Sequence, residues 1–463
     1  MGQPSFPASN AIIYLTYGAF LVLGTGIAWT MRNQSKQDFL SSNGTQSALG
    51  AGILFSYPEL ATITGVQGVI IYALASALPM LIFGALGPII RRKCPEGFVL
   101  TEWTRQRYGT VAMFYLSFMT LVTLFLYMVA ELSALGQVVT LGGFKISFLT
   151  DVIQGGMVVG LIIIATITVG AKTEIKRELI DSSHLLEPSL LGWQLLYILP
   201  VAVLTNDFFL SNFWLRTFSS KSDKDLWVGV SVAMVVILCI LTLVGCTGLI
   251  AAWSGAWPGE PEQEGSLAFF LLLQQLPSWV VGIILVMVVS LSTAAFDSLQ
   301  SAMVSSASND LFRNRLNIWY IRGMVVLIII PVVVVALRAS SILQIYLISD
   351  LLSAATIPVL CLGLSDRLYW WRGFEVVVGG LGGILTVFIF GAVYYKDAEQ
   401  GAQLLLIQNG LYANDWSTFG AFVAAPVGGI VWGFGALALR LSFQYIKARL
   451  RRERFDALDR PPL

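Results

Sequence analysis

Ser47–Gly65 reads SALGAGILFSYPELATITG. The run is apolar enough to lie in a membrane, yet it carries a proline and a carboxylate in its second half. Pro58 removes a backbone donor and crowds the preceding turn, which predicts a kink or an unwound stretch near Leu54–Tyr57. A second run of the same kind, Trp193–Asp207 (WQLLYILPVAVLTND), has Pro200 in a similar place. Irregular backbone at membrane depth is tolerated only where it lines a cavity. A pair of interrupted helices, one in each half of a chain, points to an inverted-repeat secondary transporter. Two ordinary proline kinks are the competing reading. On the first reading Ser56, Tyr57 and Glu59 face a substrate path.

The rest of the chain agrees with a membrane setting. Of 463 residues 56% are apolar and 12% are charged, about half the usual globular share of roughly 25%. Twelve apolar segments are long enough to cross a hydrocarbon core as helices: 11–31, 47–64, 66–90, 111–141, 148–170, 192–214, 226–253, 278–308, 318–337, 342–364, 373–395 and 419–443. The expected fold is an all-α polytopic membrane protein with an inverted-repeat core and about 12 spanning helices. It forms one transporter domain over 1–463: an N-terminal helix and loop (11–46), a core (47–365), and C-terminal helices with a basic cytoplasmic tail (366–463). The N-terminal MGQPSFPASN has no Lys or Arg, which suits a spanning anchor better than a cleaved signal. Continuous rather than alternating runs exclude a β-barrel.

A net charge of +1 offers no field for nucleic acid. Four scattered cysteines and the single histidine, His184, make zinc or haem improbable. There is no phosphate loop, no GxSxG and no HExxH. An enzyme and a resident cofactor are therefore not expected, only a coupling ion. Membrane lipid and a small polar solute are the expected partners, and the oligomeric state is left open.

Carboxylates inside spanning segments are costly and functional by default. Here they are Glu59, Glu131, Asp151, Asp207, Asp297 and Asp350. Asp151 and Asp207 lie near segment ends, where interfacial solvation competes as an explanation. For Glu59, Glu131 and Asp297 the competing role is a helix–helix hydrogen bond. Segment eight, MVVSLSTAAFDSLQSAMVSSASND (Met287–Asp310), is rich in hydroxyls. At about 100° per residue, Ser290, Thr293 and Asp297 share one face. Such oxygens suit a hard monovalent cation, or a small-residue packing face.

Four stretches resemble the sodium:solute symporter family in its fungal urea-transporter branch. They are Gly142-Gly143-Phe144-Lys145 with Thr150-Asp151-Val152-Ile153-Gln154, EWTRQRYG (Glu102–Gly109), NFWLRTFSSKSDKD (Asn212–Asp225) and STAAFDSLQSAMVSSASNDLF (Ser292–Phe312). The resemblance covers about residues 47–365. It implies a five-plus-five core, a mid-membrane solute site, and cation-coupled uptake of urea across the plasma membrane. A pocket of Ser56, Tyr57, Glu59, Tyr127 and Glu131 would suit urea or a cationic polyamine. A transport-inactive sensor or a truncated gene product is the reading from another class. Leu49, Asp151, Ser292, Thr293 and Asp297 are the implied cation-binding or coupling residues.

Two departures from the family pattern stand out. Aligned on Asp297-Ser298, the family's sodium-binding hydroxyl pair falls on Ala294 and Ala295, so the coupling ion is read as sodium or proton. One core helix is also missing between Gly136 and Gly142. The family has a helix there, and 33 residues over Val111–Gly143 are too few for two crossings. The positive-inside pattern set by Arg32, Lys36 and Arg91-Arg92-Lys93 also inverts beyond this point. A sixth segment that fails to cross is the competing repair.

Overall fold

A computed structural model describes residues 52–94, 100–139, 151–210, 213–214, 217–218, 222–259, 262–312, 317–338 and 341–456, with Leu15, Ser220 and Leu458 as single positions. Every regular element among them is helical. In chain order they are α1 (Ile53–Ala77), α2 (Pro79–Lys93), α3 (Leu100–Tyr108), α4 (Thr110–Val139), α5 (Asp151–Lys172), α6 (Arg177–Ser183), α7 (Leu190–Asp207), α8 (Asp223–Ser254), α9 (Ala268–Gln274), α10 (Ser278–Ser306), α11 (Ile318–Ala336), α12 (Ile342–Cys361), α13 (Gly373–Tyr395), α14 (Ala398–Leu405) and α15 (Ser417–Arg451). Segments four to twelve of the sequence each overlap one helix, whereas segments two and three run together in α1, with the rest of segment three in α2. Segment one, Leu15 apart, lies outside the described residues. So does part of the expected gap between Gly136 and Gly142, because 140–150 are not described. Seven stretches among the described residues are long and apolar enough to span a membrane.

The prolines do not break the helices. Pro58, Pro88, Pro200, Pro331, Pro358 and Pro426 all sit within helical stretches, without non-helical backbone at the prolines themselves. In hydrocarbon an unwound turn would expose several backbone groups, whereas a proline frees one carbonyl. The unwinding expected at Leu54–Tyr57 is therefore absent, and α1 departs from helical geometry at Gly65 instead (φ 62°, ψ −150°). The expected break at Pro200 is displaced in the same way, since α7 ends at Asp207.

The chain forms two compact units. One holds Met1–Leu81, Leu124–Leu196 and Trp227–Tyr346; the other holds Ile82–Thr123, Tyr197–Leu226 and Leu347–Leu463. In the first unit the polar loop after α5 is a docked strap. The Lys176 amide donates to the Trp253 carbonyl (3.0 Å), and the Trp253 indole donates to Ser183 Oγ (3.1 Å). The Leu185 carbonyl accepts the Val66 amide (3.0 Å), and the Ser189 amide donates to Gln67 Oε1 (3.1 Å). Val66 thus takes its partner from the strap where the helix of α1 is interrupted. A Cβ on Gly65 would lie 1.8 Å from that Leu185 oxygen, and its φ suits glycine alone. His184 is an exposed member of this strap facing Glu187 (3.1 Å).

In the second unit the stretch resembling EWTRQRYG becomes α3 and its end. Arg107 donates to the carbonyls of Gly363 (3.2 Å) and Leu368 (2.8 Å), and Tyr108 donates to Leu360 (2.6 Å). Burial lifts the Tyr108 hydroxyl well above the usual tyrosine range, with the Arg107 charge opposing, so it stays a donor. α13 and α15 pack through small residues at four-residue spacing, Gly379 and Gly383 against Ala425 and Gly429. The pair is fastened by Arg440, which meets the fully buried Glu375 and donates to the Trp370 carbonyl (2.7 Å). Breaking a buried ion pair leaves one charge uncompensated, so Arg440→Ala should cost about 3 kcal/mol. Thermal unfolding of the purified protein checks this, and the double change Arg440→Met with Glu375→Gln should recover part of the loss.

Candidate functional site

The first unit brings four helices to one buried carboxylate. Glu131 sits in α4 and is 3% exposed. Its Oε1 accepts the Tyr346 hydroxyl from α12 (3.1 Å) and the Gly52 amide just ahead of α1 (3.4 Å). Its backbone carbonyl accepts the Ser292 hydroxyl from α10 (3.2 Å). The Tyr127 ring, one turn before Glu131, meets the Tyr346 ring at 4.9 Å and 60°. Position 52 must be small, because a Cβ there would lie 2.1 Å from Tyr346 Oη. The Gly52 carbonyl also accepts the Ser56 hydroxyl (3.0 Å), which adds the first turn of α1 to the group.

The sequence-predicted residues divide as follows. Tyr127, Glu131, Ser292 and Ser56 converge as described. Tyr57 stacks flat on Tyr72 (3.8 Å, 3°) and its hydroxyl meets that of Ser76. Glu59 is 2% exposed. Its backbone lies against the turn Gly265–Leu267, and its carbonyl accepts Thr62 Oγ1 (2.7 Å). Asp151 opens α5, while Thr293 and Asp297 belong to α10; the side chains of all three lie outside the described residues, as does Leu49. On the expected cation face of α10, Ser290 is fully buried and its hydroxyl has no hydrogen-bond partner among the described residues.

Sequence reasoning missed Tyr346 and Gly52. Tyr346 is the one hydroxyl-bearing aromatic in the apolar run Ile342–Cys361, a usable signal. Gly52 gave none, because its role rests on a backbone amide and on lacking a side chain. Among the described residues no group of three metal-ligating side chains occurs.

No family model matches the chain. Its fold is similar to that of a Na+-coupled sialic acid symporter solved in a substrate-bound outward-open state. The TM-score is 0.60 at 14% identity, with 93% of this chain and 97% of that chain covered. The spermidine transporter DUR31 of Candida albicans (strain SC5314) is 49% identical over 498 positions, covering 100% of this chain and 95% of that protein. The alignment exceeds this chain's length by 498 − 463 = 35 positions, so at least that many fall opposite gaps in it. Similarity at this level along the whole chain, with the all-helical symporter fold beneath it, carries one conclusion: this multi-pass membrane protein belongs to the sodium:solute symporter family.

Proposed function

We propose that the protein is a plasma-membrane secondary transporter that takes up a cationic polyamine of the spermidine class, driven by a sodium or proton gradient. The observation that carries this reading is Glu131, a carboxylate buried among helices and oriented by Tyr346 and Gly52. A charge so placed is expensive unless a cation visits it. The rings of Tyr127 and Tyr346 beside it add a face that attracts ammonium groups. The relative named for spermidine supports the polyamine over the urea that the sequence resemblance suggested. Ser56, Tyr57 and Glu59 on α1 are assigned to the solute path. Leu49, Asp151, Ser292, Thr293 and Asp297 are assigned to the coupling ion.

The sequence reading of an absent helix after α4 implies a core that closes its cavity poorly. The test therefore uses two chains in cells without their own polyamine uptake: this one, and one with an apolar helix of about 20 residues restored between Thr140 and Leu141. The restored chain is expected to accumulate radiolabelled spermidine against its gradient, and urea weakly or not at all. Replacing sodium by choline, and separately raising external pH, identifies the ion. Equilibration without accumulation in both chains sinks the symporter reading. Accumulation of urea alone sinks the polyamine.

A further inference from the structure

α15 runs well past the membrane edge, and solute transport leaves its last turns without a role. Arg440 of α15 meets Glu375 in the first turn of α13. α13 has 23 residues, about the length of one crossing, so Arg440 marks the edge of the hydrocarbon. The helix continues from there to Arg451. Arg367 and Arg372, just before α13, lie on the same side as Lys447, Arg449, Arg451 and Arg452. The connection on the other side, 396–416, has Lys396 as its one base against Asp397, Glu399 and Asp415. The end of α15 is therefore cytoplasmic.

Phe443, Ile446 and Leu450 are 69%, 56% and 80% exposed. At about 100° per residue they share an arc of about 60°. Lys447 and Arg451 border one edge of this apolar stripe and Arg449 the other. All three are exposed, and none enters an ion pair among the described residues. The chain beyond the helix packs elsewhere. The Glu453 amide turns back to the Ala448 carbonyl (2.9 Å), and the Phe455 ring meets the Tyr445 ring at 5.8 Å, about 130° around the helix from the stripe.

Distance and charge decide what covers the stripe. Leu450 stands ten residues beyond Arg440 (450 − 440 = 10), about 15 Å along the axis, or about 14 Å at the usual tilt near 20°. The headgroup layer is only about 5–7 Å deep, so Leu450 projects past the lipid into water. A second copy would set like cations against each other along both edges of the stripe. Residues 1–51 carry Arg32 and Lys36 against Asp38 alone, so they offer no complementary charge. An acidic protein with an apolar groove satisfies both demands.

We propose that residues 443–451 of α15 are a docking helix for an acidic calcium sensor of the EF-hand class. Such sensors open a Met-rich apolar groove when they bind Ca2+. They take basic amphipathic helices by anchors at i, i+3 and i+7, the spacing of Phe443, Ile446 and Leu450. Lys447, Arg449 and Arg451 meet the acidic rim of the groove. The site is argued from the second unit alone and does not depend on which solute the protein carries.

Calmodulin is the probe. The purified full chain, in nanodiscs of phosphatidylcholine, is titrated with fluorescently labelled, calcium-loaded calmodulin. One calmodulin per chain is expected to bind, and chelating the calcium should release it. Leu450→Glu changes an exposed position, so its thermal unfolding should match the wild type, while binding weakens about 30-fold or more, as the loss of a central anchor does. Leu450→Met should bind as the wild type does. The pair Lys447→Glu with Arg449→Glu should weaken binding and flatten its salt dependence. Failure of calmodulin to bind in calcium, or binding that Leu450→Glu leaves unchanged, overturns the proposal. Where calmodulin fails, protection of the tail from trypsin by phosphatidylserine nanodiscs assigns the stripe to lipid, and a dimer that Leu450→Glu dissolves assigns it to a second copy. No transport is measured, so this outcome is separate from that of the polyamine reading.

Discussion

Gly65→Ala should remove most of the folded protein from the membrane. Two effects act together at this residue. An alanine at φ 62° is strained by roughly 1–2 kcal/mol. Its Cβ would also sit 1.8 Å from the Leu185 oxygen and 2.6 Å from the Leu185 carbonyl carbon. These are backbone atoms, so no side-chain rotation relieves the clash. The strap would have to lift, losing the bond between Val66 and Leu185 and disturbing that between Ser189 and Gln67. The combined cost is expected near 4 kcal/mol, at the upper end of single substitutions. Surface abundance and the unfolding temperature of the purified protein measure it. Gly229→Ala is the control, since a Cβ there meets nothing within 4 Å. Normal abundance of Gly65→Ala beside normal Gly229→Ala would mean that the break of α1 is not held as described.

Made in the chain with the helix restored after α4, Glu131→Gln has the largest expected effect on transport. The amide keeps the shape of the carboxylate but removes its charge. Glutamine can still accept from the Tyr346 hydroxyl, so the fold is expected to survive. Removing one partner of a desolvated charge contact costs about 2–5 kcal/mol, so the loss of spermidine uptake should be about 30-fold or more. Tyr346→Phe removes only the orienting donor and should cost about tenfold. Uptake normalised to surface abundance checks both. A Glu131→Gln protein with wild-type uptake would move the solute away from this site.

The two breaks show why helices were easier to read than their interruptions. Apolar length sets a membrane helix, and the segments from the fourth onward are found where their composition places them, whereas the second and third run together in α1. The breaks were tied to prolines, which a low-dielectric setting tolerates. They fall two turns later, at Gly65 (65 − 58 = 7) and Asp207 (207 − 200 = 7). At the first, the deciding group is a carbonyl far along the chain, which no local pattern reveals. The candidate site was legible in part for the same reason. Glu131, Tyr127 and Ser292 carry polarity that is out of place in hydrocarbon. Gly52 contributes by what it lacks, and Tyr346 reads as an ordinary interfacial aromatic until Glu131 is found beside it. The docking of the loop around His184 gave no signal in the sequence, because hydrogen bonding by its backbone leaves no mark on composition.

That loop has an evolutionary consequence. The atom that completes α1 belongs to the main chain of Leu185, so natural selection sees the position of residue 185 far more than its identity. Substitutions along the strap can drift while the carbonyl stays in place, Ser183 apart, whose hydroxyl accepts the Trp253 indole. A one-residue insertion or deletion between Lys176 and Ser189 is another matter, for it would shift the chain by about 3.5 Å, farther than the 3.0 Å that separates the Val66 amide from its acceptor. Among descendants of a common ancestor this stretch should therefore be variable in letters and constant in length.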